Sequence, residues 1–317
     1  MTVRPPIDPE VEAVLRAERD QVVTTLAPDQ IAGLRLRSVP PDAGALTGDG
    51  RFAMSTHRVP SEDGSSDVTV LLLRPASAPG PLPLIVHLHG GGMVAGSVYD
   101  DVVFTVGLAA QAGCAVASVE YRLAPEDPYP AALQDSYGAL VWLAENAAVL
   151  GLDPGRVVIE GVSAGGGLAA ATALLARDRG GPSLAGQMLI FPMLDDRNDS
   201  ASAVQMAGYG AWDRSANATA WGAYLADLAG SAEVPIYAAP GRASDLSGLP
   251  PTFIDVGSAE TFRDEAIAYA GLIWLCGGEA ELHVWPGGIH GFDFLAPGAA
   301  VSRDAREARL RWLTRLL

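Results

Sequence analysis

The sequence predicts an α/β protein with a mainly parallel central sheet that is covered by helices on both faces. The first observation is that strand-like apolar runs alternate with helix-like stretches from residue 82 onward. The second is that these runs are apolar at consecutive positions, which is typical of strands buried on both faces. The chain has 317 residues, of which 49% are apolar, so it can bury a sizeable core. In such folds, ligands bind at the loops that leave the carboxyl ends of the strands.

The individual elements follow from apolar periodicity and segment length. Asp8 can cap an N-terminal helix whose first position is Pro9. Seven segments are predicted as strands, at residues 68–73, 82–88, 114–121, 157–160, 187–192, 252–257 and 281–285. Five further segments are predicted as helices, at residues 102–111, 131–150, 164–176, 263–275 and 302–316.

Two segments depart from the alternation of strands and helices. Residues 1–50 are predicted to form a small helical segment. Its last part, residues 39–50, is rich in proline and glycine. Residues 195–250 begin with a polar stretch and continue into a helix-like stretch at 212–228, which contains Trp212, Trp221 and Tyr224. We expect this insertion, at about residues 197–230, to fold with the N-terminal helices as a lid over the sheet. An ordinary surface helix is the alternative.

Composition and charge exclude several classes of protein. The chain has 37 acidic and 21 basic residues, so its net charge is −16, which disfavours nucleic acids as partners. All of the basic residues are arginine. The absence of lysine excludes a P-loop lysine, a kinase strand lysine, a pyridoxal phosphate Schiff base and a Ser–Lys hydrolase.

The cysteines and the N-terminus bear on metal content and cellular compartment. Cys114 and Cys276 are too few for a cysteine-based zinc site, and the histidines lack the spacing of a zinc helix, so we expect no metal. Both thiols are expected to be free, in a reducing compartment. The charged N-terminus does not resemble a signal peptide, and no uncharged apolar run is long enough to span a membrane. We therefore expect a cytoplasmic protein.

The strongest local signal is the sequence Gly-Val-Ser-Ala-Gly at residues 161–165. It follows a strand-like run and opens a helix-like one, which is the context of a nucleophile elbow. The serine backbone in such a turn is strained, so the positions two residues away on either side must lack bulky side chains. We expect Ser163 to be a nucleophile exposed above the sheet.

A second signal, His89 followed by three glycines at 90–92, comes directly after the predicted strand at 82–88. Consecutive glycines leave backbone N–H groups uncovered and able to approach a ligand closely. A flexible or phosphate-binding loop is the alternative, but the acidic chain and the glycine spacing disfavour phosphate. We expect this loop to stabilise an oxyanion.

A serine nucleophile needs a base, and His290 is the favoured histidine because it lies in a glycine-rich loop after the last strand. The other histidines are expected in strands, before the sheet or in the glycine loop. The acid that orients the base should follow the neighbouring strand, where Glu260 is favoured over Asp255 and Asp264. The resulting order, Ser163 then Glu260 then His290, is that of α/β-hydrolases.

Together these motifs resemble the hormone-sensitive lipase family of α/β-hydrolase esterases. The resemblance covers about residues 85–295. It implies an α/β-hydrolase fold with a sheet of about eight strands, a catalytic domain at 51–317, and a helical cap made of residues 1–50 and the insertion. The matching segments, in family order, are His-Gly-Gly-Gly at 89–92, Tyr-Arg-Leu-Ala-Pro-Glu at 121–126, Gly-Val-Ser-Ala-Gly-Gly at 161–166, Arg-Asp-Glu at 263–265 and His-Gly-Phe at 290–292.

The sequence departs from the family pattern at three places, one of which is Gly167, where the family often has Asn. Val162 stands before the nucleophile, where the family often has Asp. Glu260 is followed by Thr261 and Phe262, where the family usually has Asp followed by Pro-Leu. Glutamate has one extra methylene, which a small shift of the loop can accommodate.

The resemblance implies a carboxylesterase that uses a Ser-His-Glu triad and needs no metal or organic cofactor. The oxyanion donors would be the amides of Gly91, Gly92 and Ala164. An amidase, peptidase or lactonase on the same fold, or a ligand-binding receptor that has lost a triad member, are the alternatives. The complete set of triad residues argues against a receptor.

The partners and substrate are expected to be small and neutral. The acidic surface favours neutral esters with short or medium acyl chains, and the residues expected to contact them are Met93, Val94 and Phe292. A homodimer is a further hypothesis, because the predicted strand at 281–285 ends the sheet and an exposed edge needs covering.

Overall fold

The computed structural model describes residues 3–317, in which eight strands form one sheet. The strands are β1 (Phe52–Pro60), β2 (Asp67–Pro75), β3 (Leu82–Leu88), β4 (Ala115–Glu120), β5 (Leu152–Val162), β6 (Gly186–Ile190), β7 (Thr252–Gly257) and β8 (Ala280–Trp285). The helices are α1 (Pro9–Ala17), α2 (Ile31–Arg35), α3 (Ala43–Thr47), α4 (Val102–Ala112), α5 (Ala131–Glu145), α6 (Ala147–Leu150), α7 (Ala164–Arg179), α8 (Ala201–Met206), α9 (Arg214–Leu225), α10 (Arg263–Leu275), α11 (Phe292–Leu295) and α12 (Ala300–Leu316).

The strand order is β1-β2-β4-β3-β5-β6-β7-β8. Strand β2 is antiparallel to both β1 and β4, and every other neighbouring pair is parallel. All residues of β3 and β7 are buried, as the continuous apolar runs predict. The predicted α/β-hydrolase fold with a mainly parallel sheet is confirmed.

The structure contains one strand that the sequence did not predict, and it divides one predicted helix. Strand β1 is absent from the strands predicted from periodicity, because most of its residues are exposed at the sheet edge and carry no apolar alternation. The predicted helix at 131–150 is wrong in detail, because it is divided into α5 and α6 at Asn146. The side-chain amide of Asn146 donates to the carbonyl of Trp142, 2.8 Å away, and caps the end of α5.

The N-terminal segment and the insertion after β6 contact each other. We call these two segments, residues 3–50 and 197–230, the cap. Backbone N–H groups of Trp212 and Asp213 donate to the carbonyls of Val23 and Thr24, both at 2.8 Å. Asp213 also caps α9, since its carboxylate accepts from two N–H groups of the first turn at 3.0 Å. The division into a cap and a catalytic domain stays a prediction.

A buried ionic pair lies across the two strands that lead to the predicted site. His87 on β3 and Glu160 on β5 are partners in the parallel register, and Nδ1 of His87 lies 2.5 Å from Oε2 of Glu160. The hydroxyl of Thr105 on α4 contacts both side chains. Burial is the largest single effect and would lower the pKa of His87. The charge and hydrogen bond of Glu160, the charge of Asp101 and the carbonyl of Asp100 together outweigh it, so this pKa is raised.

We expect Glu160→Gln to lower the free energy of unfolding by about 3 kcal/mol near pH 6, because it leaves the charge of His87 buried without its partner. A histidine whose pKa is raised by folding contributes stability that is complete below its unfolded pKa. That contribution is lost as the pH rises through the folded pKa. The difference between wild type and variant, measured by urea denaturation, should therefore be larger near pH 6 than near pH 9.

A matched control for this measurement is Glu12→Gln, which breaks an exposed i, i+4 pair with Arg16. Its effect should stay within about 0.5 kcal/mol. An effect of Glu160→Gln that does not change with pH would contradict the assignment of a charged His87.

Candidate functional site

The turn at Ser163 joins β5 to α7 and has the geometry of a nucleophile elbow. Ser163 has φ 57° and ψ −116°, a left-handed conformation that is strained for a residue with a side chain. A Cβ added at Gly161 would lie 2.0 Å from the carbonyl oxygen of Gly165. One added at Gly165 would lie 2.0 Å from the carbonyl oxygen of Leu88. Glycine is therefore required at both positions, because the turn packs on itself and on the end of β3.

Ser163, His290 and Glu260 form a chain of hydrogen bonds. Oγ of Ser163 lies 2.9 Å from Nε2 of His290, and Nδ1 of His290 lies 3.1 Å from Oε1 of Glu260. The second oxygen of Glu260 accepts from the N–H of Gly257 at 2.8 Å. Glu260 is fully buried, and only 11% of the His290 side chain is exposed. This arrangement can move a proton from the serine hydroxyl to the imidazole.

Aromatic rings fix the orientation of the imidazole. The rings of Phe191 and Phe262 meet the His290 ring edge to face, with centroid separations of 4.9 and 5.0 Å. Contacts on the ring and a carboxylate at Nδ1 leave Nε2 directed at Ser163. The tautomer with a proton on Nδ1 fits these contacts.

The structure brings neither of the two alternative acids to His290. Asp255 lies within β7 and accepts from Nε of Arg309 at 2.9 Å and from Nε1 of Trp285 at 3.1 Å. Burial raises the pKa of Asp255 to about 6, against the opposing effect of Arg309. Asp264 accepts from the N–H of Ser202 at 2.8 Å, at the start of α8. Both carboxylates are thus engaged elsewhere.

The remaining histidines have other partners. His57 contacts the hydroxyl of Ser55, His87 is paired with Glu160, and His283 contacts Glu281. His89 stacks on the ring of Tyr121 with a centroid distance of 4.1 Å, and its Nδ1 lies 2.7 Å from the carbonyl oxygen of Gly90. Burial lowers the pKa of His89 to about 4, so this ring is neutral at pH 7.

The glycine loop after β3 lies beside Ser163. A Cβ added at Gly90 would be 3.6 Å from Cβ of Ser163. Gly91 and Gly92 have φ 112° and 68°, which favours glycine. Within residues 3–317, the N–H groups of these two glycines donate to no backbone or side-chain acceptor. Ala164 is the first residue of α7, so its N–H also lies outside the helical ladder.

The carboxylate of Asp101 forms a hydrogen bond at the start of this glycine loop. It accepts from the N–H of Gly90 at 2.9 Å. The hydroxyl of Tyr121 donates to the carbonyl of His89 at 2.7 Å. These two bonds fix the start of the loop, and the N–H groups of the next two glycines stay available for an anion.

The three residues predicted to contact the substrate are all buried. Met93 and Val94 follow the glycine loop, and their carbonyls accept from the N–H of Ala124 and from Nε of Arg35. Phe292 packs in an apolar cluster with residues of α1 and α12. None of the three has more than 2% of its surface exposed. Their contact with a substrate stays a prediction.

Sequence reasoning placed aromatic residues in the insertion but did not find where they meet the site. The ring of Trp212 covers Gly92: a Cβ added there would lie 2.5 Å from Cζ2 of Trp212. The methyl group of Ala220 on α9 is 3.1 Å from the same point. The aromatic composition of the segment was the available signal, but no local pattern gives a contact across more than 100 residues.

No group of three or more histidine, cysteine, aspartate or glutamate side chains is arranged to hold a metal ion within residues 3–317. Cys114 is a buried free thiol and Cys276 a partly buried one. No helix among these residues is long and apolar enough to cross a membrane.

Comparisons with known proteins agree with this geometry. The family described as alpha/beta hydrolase fold matches residues 85–294. The chain is 38% identical to the carboxylesterase NlhH of Mycobacterium tuberculosis, over 97% of this chain and 96% of that protein. It is 37% identical to the esterase LipI of the same organism, over 74% of this chain and 72% of that protein.

Two solved structures of esterases are also similar to this protein over nearly its whole chain. A bacterial heroin esterase superposes with a TM-score of 0.89 at 36% identity, covering 98% of both chains. The esterase LipW from Mycobacterium marinum superposes with a TM-score of 0.87 at 34% identity, covering 100% of this chain and 99% of that one. The matches to NlhH and to the two solved structures extend over nearly the whole chain, and the family match covers residues 85–294. Together they show that this protein belongs to the α/β-hydrolase fold family, in its hormone-sensitive-lipase-like branch.

Proposed function

We propose that this protein is a carboxylesterase that hydrolyses neutral esters of short- to medium-chain acids, with Ser163, His290 and Glu260 as its catalytic triad. The observation that carries the proposal is the hydrogen-bonded chain from Oγ of Ser163 through His290 to Glu260. Its relatives, which include carboxylesterases and other esterases, support the same reaction class.

In the first half of the reaction, Oγ of Ser163 attacks the carbonyl carbon of the ester. Nε2 of His290 accepts the hydroxyl proton as the new C–O bond forms. The resulting imidazolium carries a positive charge in a nearly buried site, and the carboxylate of Glu260 stabilises it from the Nδ1 side. The tetrahedral intermediate then collapses, His290 returns the proton to the leaving alcohol, and an acyl-serine remains.

The negative charge of the tetrahedral intermediate develops on the former carbonyl oxygen. The N–H groups of Gly91, Gly92 and Ala164 are proposed to donate to it. A removed donor of this kind costs roughly 3–4 kcal/mol of transition-state stabilisation in other serine hydrolases. Fixed loop geometry favours this role, because donors that are already oriented need no reorganisation when the charge appears.

In the second half, water replaces the alcohol. His290 accepts a proton from the water molecule as its oxygen attacks the acyl carbonyl, and the same N–H groups hold the second oxyanion. Collapse of this intermediate releases the carboxylic acid and returns the proton to Ser163. The triad is then restored, so no cofactor is consumed and none is proposed.

The substrate preference rests on charge and on the surroundings of the glycine loop. A net charge of −16 disfavours anionic substrates. The residues next to the loop, Met93 and Val94, are apolar, and Phe292 follows the base by two positions. We propose all three as contacts of the acyl or alcohol part of a neutral ester.

The cytoplasmic location and the homodimer remain proposals. Strand β8 is hydrogen-bonded to β7 on one side and ends the sheet on the other. A second copy could pair along this edge. Light scattering at micromolar concentration tests this, since a monomeric mass would contradict it.

We expect Ser163→Ala and His290→Ala each to reduce kcat/KM for p-nitrophenyl butyrate by roughly 10³-fold or more, because triad members act as a unit. A fluorophosphonate should label wild type at Ser163 and should not label Ser163→Ala. Circular dichroism checks that each variant is folded. Near-normal turnover by folded Ser163→Ala would contradict the proposed nucleophile.

We expect Glu260→Gln to reduce kcat/KM by up to about 10⁴-fold, as the analogous change does in a serine protease, because the uncharged amide cannot stabilise the imidazolium. Asp264→Asn is the matched control, since that carboxylate contacts Ser202 and not His290. Asp255→Asn tests the other alternative, with its folding verified because it faces the buried Arg309. Turnover by Glu260→Gln within about tenfold of wild type would transfer the role to another acid.

A further inference from the structure

Several buried polar side chains of the cap lack a hydrogen-bond partner, and two of them are those of Trp212 and Tyr224. Nε1 of Trp212 and the hydroxyl oxygen of Tyr224 make no hydrogen bond within residues 3–317. Trp212 is 7% exposed and Tyr224 is 1% exposed. An unsatisfied buried donor costs about 1–3 kcal/mol, so such groups in native proteins require an explanation.

The first donor lies against the glycine loop. The two atoms of Trp212 nearest to a Cβ added at Gly92 are Cζ2 at 2.5 Å and Cη2 at 2.6 Å. In an indole ring, one carbon joins Cζ2 to Nε1, so the N–H group is next to the edge that faces the loop. The donor is therefore two covalent bonds from the ring atom that lies nearest to the glycine loop.

The main chain of Trp212 holds this ring in place. Its N–H donates to the carbonyl of Val23 at 2.8 Å, and its carbonyl accepts from the hydroxyl of Thr261 at 2.8 Å. The residue has φ 52°, a left-handed conformation that is unfavourable for a bulky side chain. Strain of this kind persists only where the surroundings impose it, and it is concentrated at ligand sites.

The second donor, the hydroxyl group of Tyr224, belongs to the face of helix α9 that contacts the glycine loop. Ala220 on α9 reaches the same point over Gly92, at 3.1 Å. Tyr224 is one helical turn further along and so lies on the same face. Its carbonyl accepts from the N–H of Tyr129 at 2.8 Å, which fixes this end of α9. Burial raises the pKa of Tyr224, so its hydroxyl keeps its proton and can donate.

We propose that Trp212 and Tyr224 are specificity-determining donors that bind an additional acceptor oxygen of the substrate. This inference rests on the proposed esterase function and names its substrate class. The preferred substrates are neutral esters with an ether, carbonyl or second ester oxygen about two bonds from the scissile carbonyl carbon. Plain hydrocarbon esters leave both donors unsatisfied and are poorer substrates.

The preference follows from the cost of leaving a buried donor unpaired. A site built to hydrogen-bond a substrate oxygen discriminates against the analogue that lacks it. Trp212 lies against the glycine loop, and Tyr224 is on the face of α9 whose Ala220 contacts that loop. We therefore propose that both donors act on atoms near the carbonyl group rather than on the distant end of a chain. Neither donor belongs to the proposed triad or to the proposed oxyanion amides.

The test compares two nearly isosteric esters, p-nitrophenyl methoxyacetate and p-nitrophenyl butyrate, which differ by an oxygen in place of a methylene. Their kcat/KM ratio is divided by the ratio of their hydroxide-catalysed rates, which removes the intrinsic activation by the ether oxygen. We expect Trp212→Phe and Tyr224→Phe each to lower this normalised ratio by about three- to tenfold, the loss of one hydrogen bond.

Trp221→Phe is the matched control. It removes an indole N–H that is also buried without an acceptor, but Trp221 is on the part of α9 that lines a groove with Asp213 and Arg214. It should leave the normalised ratio unchanged. Benzothienylalanine at position 212 keeps the ring shape without the N–H, and it should lower the ratio as Trp212→Phe does.

An unchanged ratio in both Trp212→Phe and Tyr224→Phe would overturn the inference and leave the esterase function standing. An equal fall in Trp221→Phe would also overturn it, since the effect would then not depend on the position of the donor. A wild-type protein that hydrolyses neither ester would contradict the proposed function and this inference together.

Discussion

The contact between the turn at Ser163 and the end of β3 is the constraint on which the rest of the site depends. Gly165 brings α7 so close to the carbonyl of Leu88 that no side chain fits between them. Leu88 immediately precedes the glycine loop, so the same contact sets the distance between the proposed nucleophile and the proposed oxyanion donors. The strained backbone at Ser163 is maintained by this packing and by the bond from its N–H to the carbonyl of Ile190.

Buried ion pairs determine which carboxylates near the carboxyl edge of the sheet can contact His290. Arg309 from α12 contacts both Asp255 and Asp293, and all three side chains are at most 5% exposed. Asp255 is therefore committed to a structural pair below the carboxyl edge of the sheet. Glu260, on the loop just beyond the same strand, contacts a backbone N–H and His290 instead. Of these three carboxylates, only that of Glu260 contacts His290, because Arg309 engages the other two.

The sequence was sufficient for the fold and for the hydrogen-bonded residues Ser163, His290 and Glu260, because each lies next to a strand end that apolar periodicity or glycine spacing identifies. It was insufficient for β1, whose exposed edge carries no apolar alternation. It was also insufficient for Trp212, because the contact with Gly92 depends on how the cap packs on the sheet. Local patterns specify elements, whereas contacts between distant segments depend on tertiary packing.

The hydroxyl of Thr261 forms a hydrogen bond that connects the cap to the loop carrying the proposed acid, Glu260. Thr261 follows Glu260 in the chain and donates to the carbonyl of Trp212 in the cap. The backbone N–H of Trp212 donates a hydrogen bond to the carbonyl of Val23 in the N-terminal segment. Any displacement of Trp212 away from the sheet would have to break the bond from Thr261 or shift the loop that carries Glu260. The position of the cap and the alignment of the proposed acid are therefore coupled through one hydroxyl group.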